Sequence, residues 1–449
     1  MESIQPPIQS RSPERLHRTV GPLGASLSGI GIVLGAGIYV LIGEAAGEVG
    51  NGAWLAFLIG AVLAAATGLS YAELIATIPE AGAAAAFAEE SFGPRVAFVT
   101  GWMDVLVNTI AAPAVAIGFA GYLAGLIGGS EPFIVVATLL GCAAVALAGA
   151  GETVKLASLF ALIEAAGLIL VVVVGAPFLG DVDLLQLDHG ATGLLAGASL
   201  VFFAYTGFEE IATLSEEIEN PGRNVPLALL IAIVVTTGLY VAVAAVAVSV
   251  VPAAELAGDS SPLASVARVA ASERVADVLS VVALFATFNT VLLVLATGAR
   301  AMYGMSRRRL LPPVVGRVWA DRGTPWVAIA ISTAIALVFG LTGDISFVAQ
   351  VTNFSVFALF VVVNASVIRL RHTQPDRLRP FRIRPSIGRV PVISVVGLLS
   401  ALLLSTFMDR QAAITGAVGL LSGLVASFFF LRDGSGTPAA ESGDHEVKR

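Results

Sequence analysis

Charge is what this chain has least of: 13% of its 449 residues are Asp, Glu, Lys or Arg, about half the share of an ordinary soluble domain. That scarcity excludes a soluble globular protein. Cysteine is nearly absent too, since Cys142 stands alone in an apolar run. It excludes an intramolecular disulfide, argues against a cysteine-built metal centre, and reads as a small buried residue. The four histidines, His17, His189, His372 and His445, fall in predicted loops or tails, so neither a zinc site nor a histidine-based nucleophile system has a candidate at depth. No His-Glu-x-x-His motif and no paired aspartate motif for diphosphate chemistry occurs. An enzyme is therefore not expected, and no cofactor or metal is implied.

What the chain does have is apolar length. Its 57% hydrophobic content, with a mean hydropathy of +0.89, would fill about twelve spans at roughly 20 residues each. The expected fold class is an all-α polytopic membrane protein with helices near 23–43, 52–72, 96–127, 132–149, 154–177, 192–217, 225–250, 275–303, 325–342, 346–368, 391–407 and 411–431. Positive charge orients them, because cytoplasmic loops collect Lys and Arg. Of the 25 basic residues, only Arg268, Arg274 and Arg410 fall in segments assigned outside. Both termini are expected in the cytoplasm, with the protein in the cell membrane. The strongest inside markers are Arg307, Arg308 and Arg309 with Arg317 and Arg322, and the Arg369 to Arg389 loop with seven arginines. These read as topology signals rather than nucleic-acid or lipid sites. Asp181, Asp183, Asp188, Glu255 and Asp259 lie on the outer side, so the formal charge of −7 carries no message about partners.

The first twenty residues are polar, contain Arg11, Arg15 and Arg18, and show no apolar core. No cleavable signal peptide is expected, and the first helix must direct insertion. The expected organisation is a cytoplasmic segment 1–20, a transmembrane domain 21–432, and a polar tail 433–449 without order.

Two helices carry interruptions. The run from Leu23 to Ile42 contains Gly29, Gly31, Gly35 and Gly37, each costing roughly 1 kcal/mol against alanine in a helix. Loosened backbone survives in lipid only where protein or a water-filled cavity satisfies it. Five helices later, Phe202-Phe203-Ala204-Tyr205-Thr206-Gly207-Phe208-Glu209-Glu210 interrupts the sixth. A pair of interrupted helices at this odd spacing points to an inverted-repeat transporter with a midplane site. Helices 1–5 and 6–10, about 21–178 and 190–370, would be the repeats, with helices 11 and 12 appended. Half-helix N-termini suit a carboxylate, and unwound carbonyls suit an ammonium group. The candidate substrate ligands are Val33, Gly35, Ala36 and Gly37, with Phe203, Ala204, Tyr205, Thr206 and Phe208. Close helix packing through Gly31 and Gly35 is the competing reading. A phosphate-cradling loop is excluded, because no strand precedes it and no Gly-Lys-Ser/Thr ending follows.

Glu164 is the sharpest single residue. It lies ten residues into the fifth predicted helix, about 15 Å along its axis and near the middle of a core about 30 Å thick. An ionisable group there is a functional candidate by default: a proton carrier, a sodium ligand, or a protonated acid bonded to a neighbouring helix. Asn289 and Thr290, with Ile32, complete the ion-coupling candidates, although the helix 8 pair equally suits plain interhelical hydrogen bonding. Glu209 beside the sixth-helix break, with Asp104 and Asn108 on helix 3, is a candidate for gating or proton linkage. Glu210, Glu216, Glu217 and Glu219 read as a solvated helix end.

These residues resemble the amino acid–polyamine–organocation superfamily, in particular its cationic-amino-acid-transporter-like branch. The resemblance rests on Gly29 to Tyr39; on Tyr71-Ala72-Glu73-Leu74, Ile78 to Gly82, Phe92-Gly93-Pro94 and Gly101-Trp102; on Phe202 to Phe208 with Glu216 to Pro226; and on Asn289 to Val294 with Arg300 to Pro312. It implies a leucine-transporter-type 5+5 inverted repeat, alternating access, and substrate on the helix 1 and 6 breaks. It also marks two departures. Glu164 stands where proton-coupled relatives often carry a lysine, and Val107-Asn108 stands where branch members often carry Glu-Tyr. The expected function is a secondary amino acid permease, driven by protons or sodium or running as an exchanger. A polyamine or organic-amine carrier is the first alternative, and a non-transporting amino acid sensor the second. The expected partners are an amino acid and the bilayer, not nucleic acid. No sequence feature identifies or excludes a small accessory membrane subunit.

Overall fold

The structure, a computed structural model, describes residues 21–78, 83–149, 154–209, 211, 218–319 and 322–431. Expectations for residues 1–20, for Pro79 to Gly82, for Glu210, Glu216 and Glu217, and for the tail beyond 431 fall outside these.

The described residues are nearly all helical. In chain order they form α1 (Pro22–Val33), α2 (Gly37–Val49), α3 (Ala53–Thr77), α4 (Ala83–Phe92), α5 (Pro94–Ile127), α6 (Glu131–Leu147), α7 (Val154–Gly175) and α8 (Gly190–Val201), the last continued by a 3-10 turn, Phe202–Tyr205. There follow α9 (Pro221–Val250), α10 (Ala253–Leu256), α11 (Pro262–Ala270), α12 (Glu273–Arg307), α13 (Trp326–Gly340), α14 (Ile345–Thr373), α15 (Val392–Ser405) and α16 (Arg410–Phe430). A small antiparallel hairpin, β1 (Ser386–Ile387) and β2 (Val390–Pro391), precedes α15.

Among the described residues seven helices are long and apolar enough to cross a membrane, and α1 with α2, bent by 48° at their break, make an eighth. Four more apolar helices, α6, α8 with its turn, α13 and α15, are shorter. The protein is a multi-pass membrane protein. Leu162, Val234, Val278, Val338, Val418 and Phe429 are among the large apolar side chains left exposed, as a lipid-facing surface requires. Among these spans α14 is the most buried and α16 the most peripheral.

Three short helices lie where the sequence reading has loops. Of these α11 is the most instructive: Leu263, Val266 and Ala267 are buried while Arg268 sits in its last turn. Nine residues are too few for a span, so a search for 20-residue apolar runs passes over this amphipathic turn. The sixth helix is also interrupted at Thr206. Thr206 is extended and Gly207 has φ +111°, a conformation that favours glycine and stops the helix.

One end of the bundle is held by a buried ion pair. Glu73, near the end of α3, accepts from Arg371 of α14 through both oxygens, one at 2.7 Å, and also from the Ile383 amide at 2.8 Å. Arg371 further donates to the Ile383 carbonyl and the Ser386 hydroxyl. Both charged side chains are 2% exposed. One turn deeper, Ser70 donates to Asn364 at 2.7 Å and meets Ser394 of α15 at 2.8 Å, while Asn364 donates to Thr67. Nearer solvent, Gln374 and Arg377 both reach Glu90 of α4 at 2.8 Å. Gln374 first, and Arg377 after it, hold the Glu90 carboxyl below the usual carboxylate range. The arginine-rich loop thus has a structural role.

Removing one partner of a fully desolvated pair strands a buried charge, at about 3–5 kcal/mol. Arg371→Met should lower the unfolding free energy in detergent by about that much, and adding Glu73→Leu should restore most of it. An unchanged denaturant midpoint in the single variant would remove the pair from the list of what holds α3 to α14.

Candidate functional site

The two helix breaks lie against each other. A side chain at Gly37 would put its Cβ 2.5 Å from the Ala204 Cα and 2.8 Å from its Cβ, and one at Gly207 would meet the Ile32 carbonyl at 3.1 Å. Glycine at 37 is therefore what lets the first break approach the backbone of the second. At the first break, α1 ends with its carbonyls and α2 begins with its amides. The first four amides of a helix have no intrahelical acceptor, and no side chain caps α2. The carbonyl end carries partial negative charge and the amide end partial positive charge, a complement to an ammonium and a carboxylate.

Tyr240 of α9 joins the two breaks. Its hydroxyl lies 2.8 Å from the Val33 carbonyl and 3.1 Å from the Ala204 carbonyl, so one proton serves two unwound segments. The ring is fully buried, edge-on to Tyr205 at 5.5 Å and to Phe57 at 5.8 Å. The sequence reading missed this residue. Its signal was there: Tyr240 is the lone aromatic in the 30-residue run of α9, and a buried tyrosine hydroxyl needs a partner.

Other candidates fall around this junction. The Ala36 amide donates to Thr290 Oγ1 at 3.3 Å, and Thr290 itself donates to the Ala286 carbonyl, so α12 touches the first break at the predicted residue. Asn289, its neighbour, keeps a buried side-chain oxygen with no hydrogen-bond partner among the described residues. Glu164 on α7 is 2% exposed and within electrostatic reach of Tyr39 and Tyr240. Gly35 lies beside Thr290, where a Cβ would stand 3.5 Å from the hydroxyl.

At the second break some groups serve the fold itself. The Phe203 carbonyl accepts from both the amide and the hydroxyl of Thr206, at 3.2 and 2.7 Å. Tyr205 donates to the Phe57 carbonyl at 2.9 Å, and Phe208 packs edge-on against Tyr71 and obliquely against Phe360. Glu209 turns back, its carboxylate accepting from the Gly207 amide at 3.0 Å. Asp104 lies within electrostatic reach of Glu209, while Asn108 donates to the Asp104 carbonyl of its own helix at 3.0 Å.

Comparison with known proteins accords with this geometry. Residues 20–436 match the amino acid permease family. The chain belongs to that family. A branched-chain amino acid permease of Bacillus subtilis is 29% identical over 426 residues, covering 90% of this chain and 91% of the relative. The methylthioribose transporter of Bacillus subtilis is also 29% identical, covering 92% of each. The vacuolar cationic amino acid transporter 4 of Arabidopsis thaliana is 27% identical over 82% of this chain and 66% of its own length. This permease is a transporter, not an enzyme.

The junction makes a sharp packing prediction for the permease. Gly37→Ala would drive a methyl into the Ala204 backbone and should cost about 1–3 kcal/mol by overpacking. Gly304→Ala on α12, where a Cβ meets nothing within 4 Å, should be neutral or slightly stabilising. Thermal unfolding of the two variants in detergent compares them, and equal midpoints would contradict the close approach.

Proposed function

We propose that this permease is a secondary active amino acid transporter of the cell membrane that works by alternating access, with substrate held where the two breaks meet. The observation that carries the reading is the Tyr240 hydroxyl shared between the Val33 and Ala204 carbonyls. It marks the point where unwound backbone from both helices converges in the protein interior. Backbone polarity at membrane depth is tolerated only where it is buried in protein or lines a cavity, and transporter sites use both features.

Twelve spans follow if α6, α8 with its turn, α13 and α15 are counted with the eight longer ones. In the 5+5 arrangement, with α1 and α2 together as the first span, the counterparts are that span with the one begun by α8, α3 with α9, α5 with α12, α6 with α13, and α7 with α14. The first four of these pairs pack together, in keeping with two repeats, about 21–178 and 190–370, with α15 and α16 appended. Positive charge then puts both termini and the Glu73–Arg371 end in the cytoplasm.

In this reading the amides of Gly35 and Gly37 receive the substrate carboxylate beside Ala36, whose own amide is taken by Thr290, and the Val33, Ala204 and Thr206 carbonyls receive the ammonium group beside Phe203, whose carbonyl already accepts twice from Thr206. Tyr205 and Phe208 brace the second break from behind. Glu164, with Thr290, the unpartnered Asn289 oxygen and the Ile32 carbonyl, forms the coupling site. A carboxylate with neutral oxygens suits either a proton or a hard cation such as sodium. The named substrates of the relatives, branched-chain and cationic amino acids and methylthioribose, define the panel to try. An organic-amine carrier is the second reading, favoured by the proximity of Asp104 and Glu209.

Reconstituted in liposomes, the protein should accumulate one or more labelled panel members under an imposed proton or sodium gradient. Glu164→Gln should keep substrate exchange but lose accumulation, settling at equal concentrations inside and out. Accumulation equal to that of the native protein would remove Glu164 from coupling.

A further inference from the structure

Tyr39 lies two residues into α2, fully buried, and its hydroxyl donates to the main-chain carbonyl of Glu164 on α7 at 2.7 Å. Helical carbonyls of that kind already serve their own helix, so this is an added tertiary bond aimed at the one turn that carries the buried acid. The bond needs room, and Gly167 supplies it: a Cβ there would stand 2.6 Å from the Tyr39 hydroxyl. The other polar end of the residue is held as well. The Tyr39 carbonyl accepts from the Tyr122 hydroxyl of α5 at 2.8 Å, and Tyr122 is itself fully buried. The second half of the broken helix is thereby fixed to α5 on one side and to α7, at the level of Glu164, on the other.

We propose that Tyr39 is a positioning residue of the coupling site: through the Glu164 carbonyl its hydroxyl sets the depth and rotation of α7 against α2, linking Glu164 to movement of that half-helix. This rests on the reading of Glu164 as the coupling group. When α2 tilts, either α7 follows at Glu164 or the bond breaks and leaves two buried polar groups unsatisfied. Movement of the half-helix and the environment of the acid are therefore tied together. Tyr39 does not touch substrate; it acts through the helix that bears the acid.

The test compares Tyr39→Phe, which keeps the ring and deletes only the donor, with Gly167→Ala, which displaces the hydroxyl and leaves Tyr39 in place. The readout is the ratio of gradient-driven accumulation to exchange, with the KM of exchange measured alongside. Each single variant should lower that ratio by about fivefold, the loss of one buried hydrogen bond, with exchange KM within about twofold of native. In the double variant the ratio should fall no further than in Tyr39→Phe, since both changes remove one contact. The Val282 side chain also crowds a Cβ at residue 167, so Gly167→Ala lowers thermal stability in either background, which the ratio does not register. A purely structural role would depress exchange and accumulation together and would overturn the proposal. So would a native ratio in Tyr39→Phe while Glu164→Gln is uncoupled, which leaves the coupling role of Glu164 standing and removes only Tyr39. Full accumulation by Glu164→Gln would overturn both.

Discussion

The Tyr240 hydroxyl between the Val33 and Ala204 carbonyls is the contact on which the rest of the site depends. A membrane helix that unwinds must find partners for the carbonyls it frees, because the surrounding lipid offers none. Here one phenol from a third helix serves two breaks at once, and Gly37 removes the side chain that would keep them apart. The consequence is that the two stretches of interrupted backbone meet beside the packed rings of Tyr205, Phe57 and Tyr240. Opposed helix ends of opposite partial charge complement a small zwitterion better than a uniformly charged solute.

The bundle treats its two kinds of polar contact differently. Glu73 and Arg371 are tied by a bidentate pair whose remaining donors and acceptors are met by Ile383 and Ser386. Breaking that pair costs about 3–5 kcal/mol, so it fixes α3 to α14 at that end. The breaks and the half-helix beyond the first are held by single hydroxyl contacts, with Tyr240 and Tyr39 as donors and Thr290 as acceptor, each worth about 1 kcal/mol net. The ion pair is thus the firm joint of the bundle, and the contacts at the breaks are the weak ones.

Much of this was legible in the residues. Apolar runs reveal the helices, because spans need length, and the glycines of residues 29–37 with Thr206-Gly207 reveal the breaks, because only special backbone tolerates them at depth. Ala36 and Thr290 were candidates, and the structure brings them into contact. What stayed hidden depended on tertiary direction. Nothing local to Tyr240 or Tyr39 says which carbonyl its hydroxyl will reach, and nothing local to Arg371 distinguishes a buried partner of Glu73 from one more positive-inside marker. Glu209 looks like a free acid in sequence, but in the fold it is bent back onto the Gly207 amide. The short amphipathic helix α11 was lost because periodicity over nine residues is too brief to compete with the signal of a span.

The most direct test of the central claim is a cryo-electron microscopy map of the protein bound to a substrate that it accumulates in liposomes. The account predicts substrate density between Gly35–Gly37 and Phe203–Thr206, with its carboxylate facing the amide end of α2 and Tyr240 still in contact with both breaks. Density instead between Asp104 and Glu209, with the two breaks unoccupied, would contradict it.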